Sequence, residues 1–283
     1  MFFASFLVFL HHIITNKRAT MMTVRLIKNR YFIIIFLVLC VVAAFGTCIS
    51  HFSGARDDSD LPISPKGTSE IILHRTGYTS SYNIETRQPN WVAWHLTREH
   101  VQGTIKRANN AWHEDLSVPK PRVSNYDYKG SGWSRGHMCP AGDNKWNRDA
   151  MYETFLYSNV CPQHPRLNSG DWNEIEIACR RWAEKYGDVY IVCGPIFLRQ
   201  EHEVIGISRI PVPEAFFKVV MCQNGTPKGI GFICRNTDGN SKKDKYVNTI
   251  RQIERITGMT FFPNLPEDIV NQVKDNADIN DWD

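Results

Sequence analysis

Between Glu70 and Thr97 short runs suited to strands alternate with turn residues: EIILHR, then YTSSYN, then WVAWHLT. A loop-rich stretch follows as far as Asn125. Farther on, the continuous apolar run DVYIVCGPIF at 188–197 predicts a buried strand. The segments 215–222 and 229–234 flank QNGTPK and predict a hairpin. Elsewhere the period changes to that of a helix. Trp172, Ile175, Cys179 and Trp182 form one apolar stripe, and Asp171 with Glu174 three residues later resembles a capping box at its start. Lys243 to Thr257 carries Tyr246, Ile250, Ile253 and Ile256 on a helical spacing, closed by Gly258 as a C-cap. Strands scattered among a few helices, without a βαβ alternation, predict an α+β fold. One domain over 69–266 fits, preceded by a polar linker at 51–68 and followed by a polar tail at 267–283.

The chain has 283 residues, 42% of them hydrophobic and 22% charged, which excludes a disordered chain, a coiled coil or a fibre. Its net charge of +4 is unevenly spread. Residues 1–50 hold five basic side chains and no acidic one; 28 basic and 29 acidic residues leave 51–283 at −1. No domain-wide basic field therefore points to nucleic acid, and any polyanion site must be a local cleft.

Tyr31 to Ile49 is an almost wholly apolar run near the ~20 residues that span a bilayer, preceded by Arg25, Lys28 and Arg30. Residues 1–50 thus read as a signal peptide or membrane anchor, with export to a periplasm, cell envelope or extracellular space expected. The true start falls at Met21 or Met22 in that reading. Cleavage after Ala44-Phe45-Gly46, retention as an anchor, and lipidation at Cys48 remain open, and retention would make the membrane a partner. Six further cysteines (139, 161, 179, 193, 222 and 234) form no CxxC or zinc-like spacing and read as small buried hydrophobes.

The candidate chemistry lies between Tyr128 and Arg180. In Ser134-Arg135-Gly136-His137, strand alternation places a phosphate-gripping guanidinium and a proton-accepting imidazole on one face. An unperturbed imidazole predicts activity rising with pH through about 6.5. Glu176 and Arg180 are i and i+4 on one helix side. On a single straight helix Asn168 and Glu176 would lie about 12 Å apart, too far to share an ion. Asn168, ahead of the helix, is then free to offer a neutral oxygen, and Glu176 to hold water on the ion. Such a donor set suits Mg²⁺, which keeps most of its waters, and suits zinc poorly. His113, His164 and His202 read as surface residues, and Trp133 and Trp146 as packing.

The ordered motifs SGWSRGHMCPAGD, FLYSNVCPQ and LNSGDWNEIE resemble those of the DNA/RNA non-specific endonucleases, the ββα-metal nucleases of endonuclease G type. The segments YDYKGSG at 126–132, IPVPEAFFKV at 210–219 and TGMTFFPNL at 257–265 extend the likeness over most of the domain. The resemblance implies a mixed or antiparallel sheet core with helices and a ββα-metal finger. It implies His137 as general base and Asn168 as direct ligand of one Mg²⁺, with Mn²⁺ as a substitute. It further implies Glu176 acting through water, Asn159 holding the histidine and metal surroundings, and Arg135 and Arg180 on the phosphate. DNA and RNA would be the substrates, cut to 5′-phosphate products.

Two positions depart from the family pattern. Ser134 stands where the family usually has Asp, which predicts altered activity and not its loss. The family's arginine upstream of the histidine has no clean match, with Arg107 nearby and Asn110 closer to the expected place. A nuclease-fold protein that binds nucleic acid or a partner without cutting is the rival reading.

Overall fold

The computed structural model describes residues 60–282, apart from 110 and 240. The apolar run at 31–49 and Asn110 lie outside the described residues. Eleven strands are described: β1 (Ile71–His74), β2 (Thr79–Asn83), β3 (Gln88–Thr97), β4 (Ser134–His137), β5 (Val160–Gln163), β6 (Asp188–Ile196), β7 (Val204–Ile205), β8 (Ile210–Pro211), β9 (Ala215–Cys222), β10 (Lys228–Arg235) and β11 (Val247–Asn248). Seven of them form one sheet in the order β1-β2-β3-β6-β9-β10-β11, antiparallel at every pairing. The α+β expectation therefore holds. The segment between β3 and β6 leaves this sheet, builds the small β4–β5 ladder and returns through the long helix Asp171–Tyr186.

Both faces of the large sheet are covered, which is why its central strands read as continuous apolar runs. Val92, Trp94, Ile191, Phe216 and Val220 face the long helix through Trp172, Ile175 and Trp182. Trp91, Ala93, Val192, Phe217 and Val219 face Ile250 and Ile253 of the helix Ile250–Thr257 and Val273 of the helix Glu267–Asp275. Period-two alternation along β9 thus sends successive side chains into two different cores. The six cysteines of the domain are free and buried. Burial raises the pKa of each thiol, to about 12 at Cys179, Cys193 and Cys234.

Several local expectations fail. The helix over Lys243 to Thr257 is shorter. Lys243–Tyr246 is a 3₁₀ turn, and the α-helix begins at Ile250 behind a Thr249/Gln252 capping box, leaving Ile256 exposed. Gly258 does close it, in the left-handed region at φ 70°. The polar composition of 267–283 conceals a packed end, for Val273 and Trp282 are fully buried and the Trp182 and Trp282 rings lie 4.6 Å apart. Likewise Ile63, in the segment read as linker, pairs with Thr260. Truncating a buried tryptophan costs about 3–5 kcal/mol. Trp282→Ala is therefore expected to lower the urea midpoint markedly at unchanged m, and an unshifted midpoint would show that the C-terminal segment contributes no packing.

Candidate active site

The β4–β5 ladder carries the motif. Ser134 pairs with Gln163 and His137 with Val160, so Arg135 and His137 share one face as alternation requires. Gly136 between them is a close-approach glycine, because a Cβ there would sit 2.3 Å from Gln163 Oε1. The helix Pro165–Ser169 packs against β4 and bears Asn168. Gly170, at φ −105° and ψ −109°, then breaks the chain before the long helix starts at Asp171. A Cβ at Gly170 would meet Arg166 O at 2.7 Å, so the break is reserved for glycine. Asn168 and Glu176 consequently occupy two different helices. Two strands followed by the broken helix give the ββα arrangement.

His137 is partly buried beneath aromatic rings. It stacks on Trp112 at 4.7 Å and meets the edge of Phe155 at 5.1 Å. Its Nε2 is buried with no hydrogen-bond partner. Burial first, and then the Arg107 guanidinium, push its pKa down to about 3. The inflection expected near 6.5 is therefore displaced, and the imidazole is neutral throughout the physiological range. Arg107 and Arg135 each lie 5.6 Å from the Trp112 ring centre. Arg135 donates to Asn125 Oδ1 and, at 3.2 Å, to Tyr157 Oη.

The remaining anticipated residues divide. Asn159 is fully buried, and its amide is consumed by backbone: Oδ1 accepts from Cys139 N, while Nδ2 donates to Cys139 O and Thr154 O, all at 2.9 Å. It clips the turn just after His137 and offers no group to a substrate. Arg180 does not pair with Glu176. Its Nη1 donates at 2.8 Å to Asp143, whose other oxygen accepts from Trp94 Nε1 at 3.1 Å. The Asp171 capping box is absent, because that carboxylate accepts from Tyr246 Oη and from Ser241 N. His113, His164 and His202 are partly buried and not on the open surface; His202 pairs with Glu214 at 2.8 Å.

Burial pushes the Glu176 carboxyl up to about 7; Asp143 adds to this, while Lys218 and Arg180 oppose it. The native state thus holds a proton at Glu176 that the unfolded chain releases near 4.5, and this contribution to stability is lost as pH rises from about 4.5 to about 7. Over part of that window His137, with its lowered pKa, acts in the opposite sense. The quantity to measure is therefore the difference between wild type and Glu176→Gln in metal-free buffer. The wild type is expected to lose stability relative to the variant across that window, and parallel curves would contradict the assignment.

Trp112, Asp143 and Lys218 escape a reading of the sequence. Trp112 lies in a loop with no periodicity to mark it, whereas Arg107, noted above as nearby, acts on the His137 imidazole. Asp143 stood unassigned inside the quoted motif. Lys218 had a usable signal, a lone charge inside the apolar strand AFFKVVMC. It is fully buried, its Nζ has no hydrogen-bond partner, and it lies 4.4 Å from the Trp172 ring centre and 5.1 Å from that of Trp94. Burial pulls its pKa down, but Cys193, Glu176, Cys179 and Asp143 outweigh this and hold it above its ordinary value.

A divalent cation fits these residues. Among those described, no three His, Cys, Asp or Glu side chains converge as a full metal cage. The Asn168 side-chain amide is half-buried with no hydrogen-bond partner among the described residues, and burial keeps the Glu176 carboxyl raised in spite of Lys218 and Arg180. One neutral and one acidic oxygen suit a hard ion that retains its waters.

The sequence matches the DNA/RNA non-specific endonuclease family over residues 61–268. The chain belongs to that family. It is 36% identical over 260 residues to the mitochondrial nuclease EXOG of Xenopus laevis, a match covering 82% of this chain and 73% of that protein. It is 35% identical over 208 residues to the mitochondrial endonuclease G of Bos taurus, covering 69% and 70% respectively. The crystal structure of a complex of EndoG with EndoGI, described as showing the mechanism of EndoG inhibition, matches with a TM-score of 0.66 at 28% identity, over 71% of this chain and 88% of that one. This endonuclease family is one of metal-dependent, hydrolytic nucleases. The export reading is overturned, since these relatives, and the endonuclease G of Caenorhabditis elegans, are named mitochondrial. A basic, acid-free N-terminal stretch suits either destination, so its composition does not decide between them. Neither a signal peptide nor a transmembrane segment is supported, and no helix among the described residues is long and apolar enough to cross a membrane.

Proposed function

We propose that this endonuclease hydrolyses phosphodiester bonds in both DNA and RNA to 5′-phosphate products, with His137 as general base and Mg²⁺ as its ion. The observation that carries the reading is the neutral, partner-free imidazole of His137 stacked on Trp112, with the Arg107 and Arg135 guanidiniums each 5.6 Å from that same ring. A base kept neutral by burial and a neighbouring cation is ready to accept a proton at pH 7. His137 takes that proton from the attacking water at Nδ1, the ring nitrogen left open when Nε2 is buried. Arg135, its direction fixed by Asn125 and Tyr157, orients the phosphate. Arg107 lies close enough to the imidazole to offset charge on the same phosphate. Asn168 would hold the ion directly and Glu176 through water; when bound, the ion supplies positive charge against the phosphoryl oxygens. Asn159 and Arg180 act as positioning residues, one bracing the turn after His137 and the other the Asp143 loop. Contacts confined to phosphate and sugar give little sequence preference.

The names of the relatives support a mitochondrial location, which fractionation of expressing cells would test. The function itself is tested by incubating purified protein with supercoiled plasmid and with RNA, with Mg²⁺ or EDTA. Cleavage of both substrates in Mg²⁺ alone is expected. Retained binding with no cleavage under any condition would favour the non-cutting rival.

A further inference from the structure

A cavity of about 710 Å³ opens beside the catalytic histidine, on the far side of a single aromatic ring. Phe155 forms that partition, since it lines the cavity and also meets the His137 ring at 5.1 Å. One wall is the segment bearing Lys106, Asn109 and His113, and the other is the helix Arg148–Glu153. Tyr152 and His113 stack at 3.9 Å with 20° between their planes, and Nδ1 of His113 is tied to Ala111 O at 2.5 Å. His113 thereby fixes the plane of Tyr152, a residue that is 60% exposed. Lys106 and Arg148 stand exposed at the rim and make no ion pair with any described residue. An open aromatic platform flanked by Lys106 and Arg148, which outnumber the single carboxylate of Asp149 in the lining, matches a ligand that is flat, aromatic and anionic.

We propose that this cavity is a nucleotide subsite, in which a base of the substrate strand flanking the scissile phosphate stacks on Tyr152 while Lys106 and Arg148 hold that nucleotide's phosphates. The inference rests on the nuclease reading above and extends it. The volume exceeds what one nucleotide needs and places no shape demand on the base, so the subsite adds grip and not sequence preference. Because Phe155 touches both the cavity and His137, the subsite is assigned to a nucleotide flanking the cut.

The test measures Kd in His137→Ala protein for a thymidine 12-mer and for an abasic 12-mer of the same backbone. Adding Tyr152→Ala is expected to weaken the thymidine strand at least fivefold, on the scale of one base–aromatic stack, and the abasic strand less than twofold. Tyr152→Phe should restore the thymidine affinity, which a merely structural tyrosine hydroxyl would not predict. The double change Lys106→Ala/Arg148→Ala should weaken both strands alike and make the salt slope shallower by about 1.4, at ~0.7 per phosphate contact on single strands. Equal affinities with and without Tyr152 would overturn the subsite. So would thymidine monophosphate binding that depends on Tyr152 while strand binding does not, since that outcome places a free nucleotide there. Failure of the wild type to cut plasmid would sink the nuclease reading separately, because the Kd comparison needs no catalysis.

Discussion

Replacing His137 with alanine is expected to slow plasmid cleavage by about 10²–10⁴-fold, the usual contribution of a positioned general base, with the fold retained. The His137 Nε2 is buried without a hydrogen-bond partner among the described residues. Removing an unsatisfied buried nitrogen relieves a desolvation cost, which offsets part of the stacking lost against Trp112 and Phe155. A near-native circular dichroism spectrum and melting curve should therefore accompany the lost activity. Activity within tenfold of wild type would remove His137 from the chemistry. In the wild type, an imidazole near pKa 3 gives no inflection around 6.5, so any fall in activity near pH 7 belongs to another group, and Glu176, pushed up to about 7, titrates there.

The largest stability effect is expected at Arg180. Its partner Asp143 has a side chain only 1% exposed, and burial raises the Asp143 pKa in spite of the guanidinium beside it. Arg180→Ala leaves that carboxylate buried with the Trp94 indole N–H as its hydrogen bond and Lys218 as the remaining cation acting on it. Breaking a buried pair from one side costs about 3–5 kcal/mol. For a domain of this size that corresponds to a fall in Tm of roughly 10 °C. Removing both charges together, as Asp143→Asn/Arg180→Met, should recover most of the loss, because no isolated charge remains. Calorimetry of the single and double variants decides the matter. A single variant that melts like wild type would show that the pair is not structural and would return Arg180 to the role of phosphate ligand.

What could be read from the sequence, and what could not, follows from the range of the forces involved. Strand alternation and apolar stripes are set by local periodicity, so the sheet strands and the long helix with Trp172, Ile175, Cys179 and Trp182 were legible. The placing of Arg135 and His137 on one face was legible for the same reason. Errors came where one distant contact captured two residues. Asp171 was expected to cap its own helix and Tyr246 to lie on another helix's stripe. Instead the Tyr246 hydroxyl donates to the Asp171 carboxylate, which withdraws the cap from one helix and leaves Tyr246 in a 3₁₀ turn before the other begins. The partner of Arg180 was equally illegible, since Glu176 is its neighbour on the helix but Asp143, 37 residues away in sequence, is the group it binds. The aromatic cover over His137 was invisible because Trp112 and Phe155 come from a loop and a turn.

Lys218 shows the same limit from the other side. A charged residue in the middle of β9 breaks the apolar run, yet alternation places it on the face toward Trp94 and Trp172. Its ammonium is held by rings and by the acidic groups around Glu176 and Asp143, an arrangement built from four separate segments. A buried cation beneath Glu176 favours the ionised carboxylate that the metal reading requires.

The claim at the centre is that the imidazole of His137 and one divalent ion meet at the same phosphodiester. Paramagnetic broadening by Mn²⁺ tests it most directly, in protein labelled at histidine and asparagine. Substoichiometric Mn²⁺ should broaden the side-chain amide of Asn168 and the ring signals of His137 before any others, and Asn168→Ala should abolish both effects. Broadening centred elsewhere, with those two residues left sharp, would contradict the account.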